Sequence, residues 1–455
     1  MNDPLADLSA PLRRSLYGLL IAAALASAAG RILTVQSRDG RTPFLSANDR
    51  SRWCTISALV DFGTFEIDQV IRRRGWDTID KVQHVGRDGR AHFYSSKPTL
   101  FPALLAAEYW VIRQLTGATL EAHPFYVARL MLLVTHGALL LVYFLLLVDL
   151  IERWGGTTWG RMYVLVAAAW GTFLTTFAST INNHLPAAVC TLAAVWCAVR
   201  VWQDGGCRWP IYALAGASAA LAFACELPAA LLVALLAGGL LWRRPAPTLL
   251  AFVPAAAIVL AAGIASDYAA HDSWRPAYAH RQPGDDWYDY EGSYWIDGNR
   301  RGVDRGEASP ARYALHVLVG HHGVFSLTPI WLLSAAGAWM LARRGDEPRR
   351  ALAWLVIVLA VVSLAFYLTR PLQDRNYGGV TCGFRWIFWQ APLWLVVMLP
   401  AVERLAQRRW QRALCVVLLV LSVLSASYGW TNPWRHPWPY QYGQYLLWWE
   451  ADEGG

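Results

Sequence analysis

Four residues in the polar stretches of this 455-residue chain have the types that group transfer at a phosphate needs. They are one carboxylate, Asp49, and three cations, Lys97, Arg375 and Arg385. A carboxylate can take the proton of an attacking hydroxyl. A phosphate leaving group is already a stable anion, so it needs fixed positive charge rather than a proton. Arginine suits that role through bidentate contact, and lysine serves as a point charge. The paired carboxylates of glycoside hydrolysis are not required. Each residue also has a plainer use. Asp49 could cap a helix, Lys97 could snorkel at an interface, and Arg385 could anchor there. The glycines at 378, 379 and 383 nevertheless suggest a backbone that lets something approach Arg385 closely.

Further residues could line a cavity around these four. Asn48 adjoins Asp49. Asn183 and His184 follow Asn182 in a short turn without lysine or arginine, where they could touch a substrate or cap the next helix. Glu226 lies between two apolar runs, and an acid at that depth should face protein or water. His321 and His322 close a polar loop. The acids at 285, 286, 289 and 291 lack the spacing of a calcium loop and read as solvated. The seven cysteines form no zinc-like pattern. No metal site is therefore assigned; no cofactor is required, and metal dependence stays open. A Cys54–Cys382 disulfide is an alternative to buried thiols.

The elements that must position these residues are membrane helices. The chain is 56% hydrophobic and only 16% charged, against about 25% in soluble domains. Apolar runs of membrane length recur. The net charge of +8 sits largely in short arginine clusters between them, a positive-inside pattern rather than a nucleic-acid surface. Eleven spans are predicted, near 16–33, 125–150, 162–178, 185–202, 211–225, 228–242, 248–266, 324–342, 351–368, 386–402 and 413–428. The run 100–115 is broken by Glu108 and Arg113 and is predicted to be half-inserted. That choice puts the arginine clusters inside. The predicted fold class is thus an all-α integral membrane bundle, a single domain over 1–455 with a cytoplasmic N-terminus. A signal-peptide reading of the first run competes, because Ala26-Ser27-Ala28 resembles a cleavage site.

Three segments fall outside: a first loop with juxtamembrane helices (35–115), a second large loop (267–323) and an interfacial tail (429–455) rich in tryptophan and tyrosine. Within the first loop, Trp53, Ile56, Leu59 and Val60 recur at helical spacing. They predict an amphipathic helix over 49–61 on the membrane surface. Residues 86–90 predict a turn between two short strands.

Asn48-Asp49 after the first span, Lys97-Pro98 before a short juxtamembrane helix, and the glycine-rich stretch from Asn376 to Trp386 together resemble a known group. It is the polyprenyl-phosphate-sugar-dependent glycosyltransferases of the GT-C fold, which include the protein O-mannosyltransferase and aminoarabinose transferase families. The likeness is architectural over most of the chain and sequence-specific only in these stretches. Two departures stand out: Asn-Asp followed by Arg50 where many members have Asp-Glu, and Ser96 where many have an acid before Lys-Pro. The resemblance implies a bacterial-type inner-membrane enzyme acting on the extracytoplasmic face. It would move a sugar from a polyprenyl-phosphate donor to an unknown protein, lipid or glycan acceptor, with membrane lipid around it and no nucleic acid involved. Asp49 would be the base, and Lys97, Arg375 and Arg385 would hold the phosphate. A transporter or flippase, or a non-catalytic scaffold for lipid-linked glycan intermediates, is the alternative.

Overall fold

The computed structural model describes residues 8–205, 208–281, 284–296 and 298–446. It is a helical bundle with one small hairpin. Six helices are long and apolar enough to cross a membrane. They are α1 (Ala10–Thr34), α4 (Pro124–Trp154), α6 (His184–Asp204), the span Pro245–His271 that ends in α9 (Val253–His271), α12 (Glu347–Leu368) and α15 (Arg409–Tyr428). A seventh is possible if the pair bent by 47° between Arg385–Val397 and Leu399–Leu405 counts as one span. Its α-helical parts are α13 (Ala391–Val397) and α14 (Leu399–Leu405).

Eleven full-length spans are therefore not what the described residues present. Four predicted spans coincide with shorter helices: α5 (Thr158–Trp170), α7 (Trp209–Cys225), α8 (Ala230–Arg243) and α11 (Trp331–Arg344). They have 13 to 17 residues, below the ~20 needed to span hydrocarbon alone. The remainder of their predicted lengths is taken up by 3₁₀ turns at 176–179 and 227–229 and by loop.

The bundle has two distinct ends. At one, Arg13 pairs with Glu152, Arg153 with Asp204, and Arg243 with Glu347, while Glu403 accepts from the backbone of Gly156 and Thr157. The predicted inner arginine clusters gather here. At the other end the polar segments pack together as one layer. α2 (Ala47–Asp61) lies under the hairpin β1 (Lys81–Val85) and β2 (Ala91–Ser95), with the predicted turn between the strands. The second loop, which contains α10 (Pro310–Leu318), seals the hairpin, with Gln83 N–H donating to Trp287 O (2.9 Å) and Trp295 Nε1 to Ile79 O (2.8 Å). α3 (Leu100–Thr116) docks on α2 through Arg113, which bonds Val60 O and Asp61. This contact explains a charge inside an apolar run.

α2 differs from its predicted form. It is not a half-wet surface helix: ten of the eleven positions from Asn48 to Ala58, all but Arg50, are buried. Its apolar side, Trp53 and Ile56, joins the core, and its polar side is covered too. That is tolerable because the buried polar groups find partners. Ser51 Oγ reaches Asp80 O and Ser95 Oγ (2.6 Å each), and Ser57 Oγ meets Asp61 and Arg73. Cys54 and Cys382 are separate free thiols, each buried in its own apolar cluster, so the disulfide does not form.

Candidate functional site

Two adjoining cavities of about 460 and 300 Å³ open in the polar layer and share Ser96, Lys97, Tyr278, Arg281, Arg385 and Trp386. They form one two-lobed cleft, in the size range of small-molecule sites. The smaller lobe is cationic: Arg52, Lys97, Arg281, Arg370 and Arg385 line it, against Glu226 and Asp374. The larger lobe is walled by Tyr288, Trp295 and Trp434 and carries Asn48, Asp80 and Asp304.

Lys97 stands where the lobes meet. The β2 strand and Pro98 deliver it there, and its Nζ lies 2.9 Å from Asp80. Burial lowers the Lys97 ammonium to about 8, with Asp80 opposing the shift. Arg385 is placed by the glycine-rich turn. Its Nε donates to Gly378 O (2.7 Å), its guanidinium covers Trp434 at 4.9 Å, and Nη1 is 3.2 Å from His184 Nε2. Gly378 has φ +90°, and a Cβ there would come within 3.2 Å of Arg385 Cγ. The glycine is thus required both by its left-handed backbone and by the close approach.

His184 and Glu226 continue this network. Arginine can only donate, so His184 Nε2 accepts and Nδ1–H donates to Glu226 (2.6 Å). Asn183 takes Arg52 Nε on Oδ1 (3.1 Å) and donates to Cys225 O (3.0 Å). Arg52 also bonds Asn48 through its backbone O and Oδ1 (2.7 and 2.5 Å). Asn48, Lys97, Asn183, His184, Glu226 and Arg385, all singled out from the sequence, therefore meet in one cleft. Asn182 takes the other role foreseen for its turn and caps α6 by accepting from Leu185 N–H (2.9 Å).

Four residues do not fit as predicted. Asp49 is 1% exposed and is absent from the lining of both lobes. Its Oδ2 accepts from Leu45 N–H (2.9 Å) and Oδ1 from Ile181 N–H (3.1 Å), while Ser46 Oγ caps Asp49 N–H (3.1 Å). Ser46 thus caps α2, while Asp49 reaches back past the cap to Leu45 and ties the helix to the 180 turn. Burial raises the carboxyl to about 6 although the two amides stabilise its charge. Arg375 turns away from the cleft and donates to Ala308 O (3.0 Å), joining the second loop to the 370 segment.

His321 and His322 lie outside both linings. They stack into an aromatic cluster with His316, Tyr377 and Tyr440, and burial pushes His321 down to about 3. The two histidines read as possible cavity residues pack here against the ring of Tyr377, whose backbone is left-handed at φ +59°.

The cleft also holds residues that the sequence did not single out: Arg52, Asp80, Arg281, Asp304 and Trp434. Arg52 had a signal, standing in the same polar cluster as Asp49. The others reach the site by tertiary contact. Trp434 of the tail donates from Nε1 to Thr180 Oγ1 (3.0 Å), so this part of the tail is a wall of the cleft rather than an interfacial belt. Residues 447–455 of the predicted tail lie outside the described residues. Away from the cleft, Glu66, Asp68 and His92 bring ligand atoms within 4.8 Å of one another, and none of the three lines either lobe. The absence of a metal site expected from the sequence spacing does not extend to this set.

The fold and site define a multi-pass helical membrane protein with a cationic, partly aromatic cleft at one end. No family model matches the chain, and no curated protein matches it. Among solved structures it is similar to the Archaeoglobus fulgidus oligosaccharyltransferase in the apo form, at 11% identity and a TM-score of 0.48. That match covers 95% of this chain and 57% of the other, so this chain spans little more than half its length. It is also similar to ArnT from Cupriavidus metallidurans in the apo state, at 14% identity and a TM-score of 0.48, covering 92% of this chain and 76% of that one. At these scores and identities the likeness fixes neither family nor activity.

Proposed function

We propose that this protein is a membrane glycosyltransferase that moves a sugar from a polyprenyl-phosphate donor to an acceptor hydroxyl on the extracytoplasmic side. The observation that carries the reading is the cationic lobe. Lys97 and Arg385, the two cations that the motifs pointed to, stand in it with Arg52, at the end of the bundle opposite the arginine clusters. A phosphate there would meet fixed charge that is already desolvated, which stabilises a leaving anion more strongly than charge in water does. The aromatic lobe beside it suits a sugar and its acceptor. A single direct displacement would invert the anomeric centre.

Asp49, the base suggested by sequence, holds α2 in place in this reading. Its anchoring also favours one second reading, a transporter or scaffold for lipid-linked intermediates, which would use the cations and need no base.

The test is release of polyprenyl phosphate by purified protein, offered a panel of polyprenyl-phosphate sugars with crude membrane acceptor. Wild type should turn over at least one donor. Lys97→Ala and Arg385→Ala should each lose about 10²-fold or more, as expected for removing charge at a leaving group. Binding without turnover across the panel would sink the enzyme in favour of the transporter or scaffold.

A further inference from the structure

We propose that Asp80 is the general base of this transfer, and that its ion pair with Lys97 withholds it until a donor phosphate arrives. The proposal rests on the glycosyl-transfer reading. It starts from the carboxylates around the cleft. Asp49 is held by two backbone amides, Glu226 by His184, Asp304 by Tyr294 and Asn376 (3.0 Å each), and Asp374 by Arg370 and Arg281. Asp374 lies inside the cationic lobe and is held by two of its arginines, whereas Asp80 lines the neighbouring lobe, where sugar and acceptor would sit, and is paired with one cation that the donor itself would attract. Its partner, Lys97 Nζ, lies 2.9 Å away at the junction of the lobes.

The main chain around Asp80 is fixed. Ser96 N–H and Ser51 Oγ both donate to its carbonyl (3.2 and 2.6 Å), and its own N–H donates to Thr78 Oγ1 (3.1 Å). The hairpin register pairs Lys81 with Ser95, so Asp80 is carried to the position opposite Ser96, beside Lys97. A rigid backbone with one exchangeable side-chain contact is the arrangement that lets a base be released without moving the fold.

The sequence of events balances. The sugar phosphodiester enters the cationic lobe, and the Lys97 ammonium moves from Asp80 to a phosphate oxygen. The acceptor hydroxyl gives its proton to the Asp80 carboxylate as its oxygen bonds the anomeric carbon. The bond from that carbon to the phosphate oxygen breaks, and its electron pair leaves with polyprenyl phosphate, held by Lys97 and Arg385. When the product departs, Asp80 returns its proton to water and Lys97 closes on it again.

Asp80→Asn and Asp80→Glu, checked for folding by gel filtration and thermal unfolding, are compared with wild type in two assays. One measures binding of undecaprenyl phosphate alone, and the other measures turnover of a donor that wild type uses. Asp80→Asn should bind undecaprenyl phosphate about tenfold tighter, because Lys97 no longer leaves a carboxylate to reach it. Its turnover at saturating donor should fall about 10²–10⁴-fold, the range for loss of a general base. Asp80→Glu should keep near wild-type affinity and partial turnover. Unchanged or weaker binding by Asp80→Asn overturns the exchange, and turnover within a few-fold of wild type overturns the base. Wild type that binds no undecaprenyl phosphate, or turns over no donor, overturns the glycosyl-transfer reading and the base with it.

Discussion

Asp49 meets neither of its two sequence readings directly: Ser46 caps α2, and Asp49, in the first turn, bonds backbone amides and lines neither lobe. Asn and Asp at a helix start are favoured for capping, and a carboxylate after a first span also suits catalysis. The amides of Leu45 and Ile181 occupy both its oxygens. Burial raises its pKa from the ordinary 3.8 to about 6. Between those values the folded chain keeps a proton that the unfolded chain releases, so this group's contribution to stability is largest below pH ~4 and falls as pH rises through 6, by on the order of 3 kcal/mol. Asp49→Asn removes that titration. Followed by thermal unfolding in detergent from pH 4 to 7, the mutant should lose less stability than wild type. Its turnover should stay within a few-fold, whereas a catalytic Asp49 would cost turnover with little change in the pH profile of unfolding.

At the scale of elements, the glycine-rich turn is the piece whose shape the cleft most depends on. Gly378 and Gly379 adopt φ +90° and +78°, and Gly379 brings its backbone beside Asp304. Gly378→Ala imposes a left-handed conformation on a Cβ residue and presses that Cβ against Arg385. It should cost about 1–2 kcal/mol of stability. The affinity for undecaprenyl phosphate should drop further than in a control Gly→Ala at Gly239, where helical geometry and space accommodate the methyl. Equal affinity losses at the two sites would mean that the turn does not position Arg385. The motif stretch around it was legible because glycine runs announce special backbone. What Arg375 would do was not legible: a cation ten residues before Arg385 turns outward because the chain reverses between them.

At the scale of the whole molecule, the first loop, the second loop and residues 429–446 pack as one layer, so they must share a side of the membrane. Single cysteines at Arg90→Cys and Glu291→Cys should react with a membrane-impermeant thiol reagent from the outside of intact cells, and Gln203→Cys and Arg344→Cys only after lysis. Labelling of all four from one side would overturn the bundle's polarity. The described native cysteines are buried or half-buried and give little background, and Cys207, outside the described residues, is first replaced by serine.

Composition, apolar runs and arginine clusters determined by themselves that this is a multi-pass helical protein with polar segments at one end, because lipid leaves a spanning backbone few other solutions. The motif pairs also marked Lys97 and Arg385, whose local contexts, Pro98 and the glycines, carry information over a few residues. Only the tertiary structure decided which carboxylates face the cleft: Asp80, Glu226, Asp304 and Asp374 line it, and Asp49 does not. Asp80 reaches Lys97 through hairpin register, Arg52 reaches Asn183 across 131 residues, and Trp434 arrives from the far end of the chain. Such contacts depend on how separate helices and loops stack. Side-chain type and spacing do not encode them, so His321, His322 and Asp49 read as site residues while the packing places them outside the lining of the cleft.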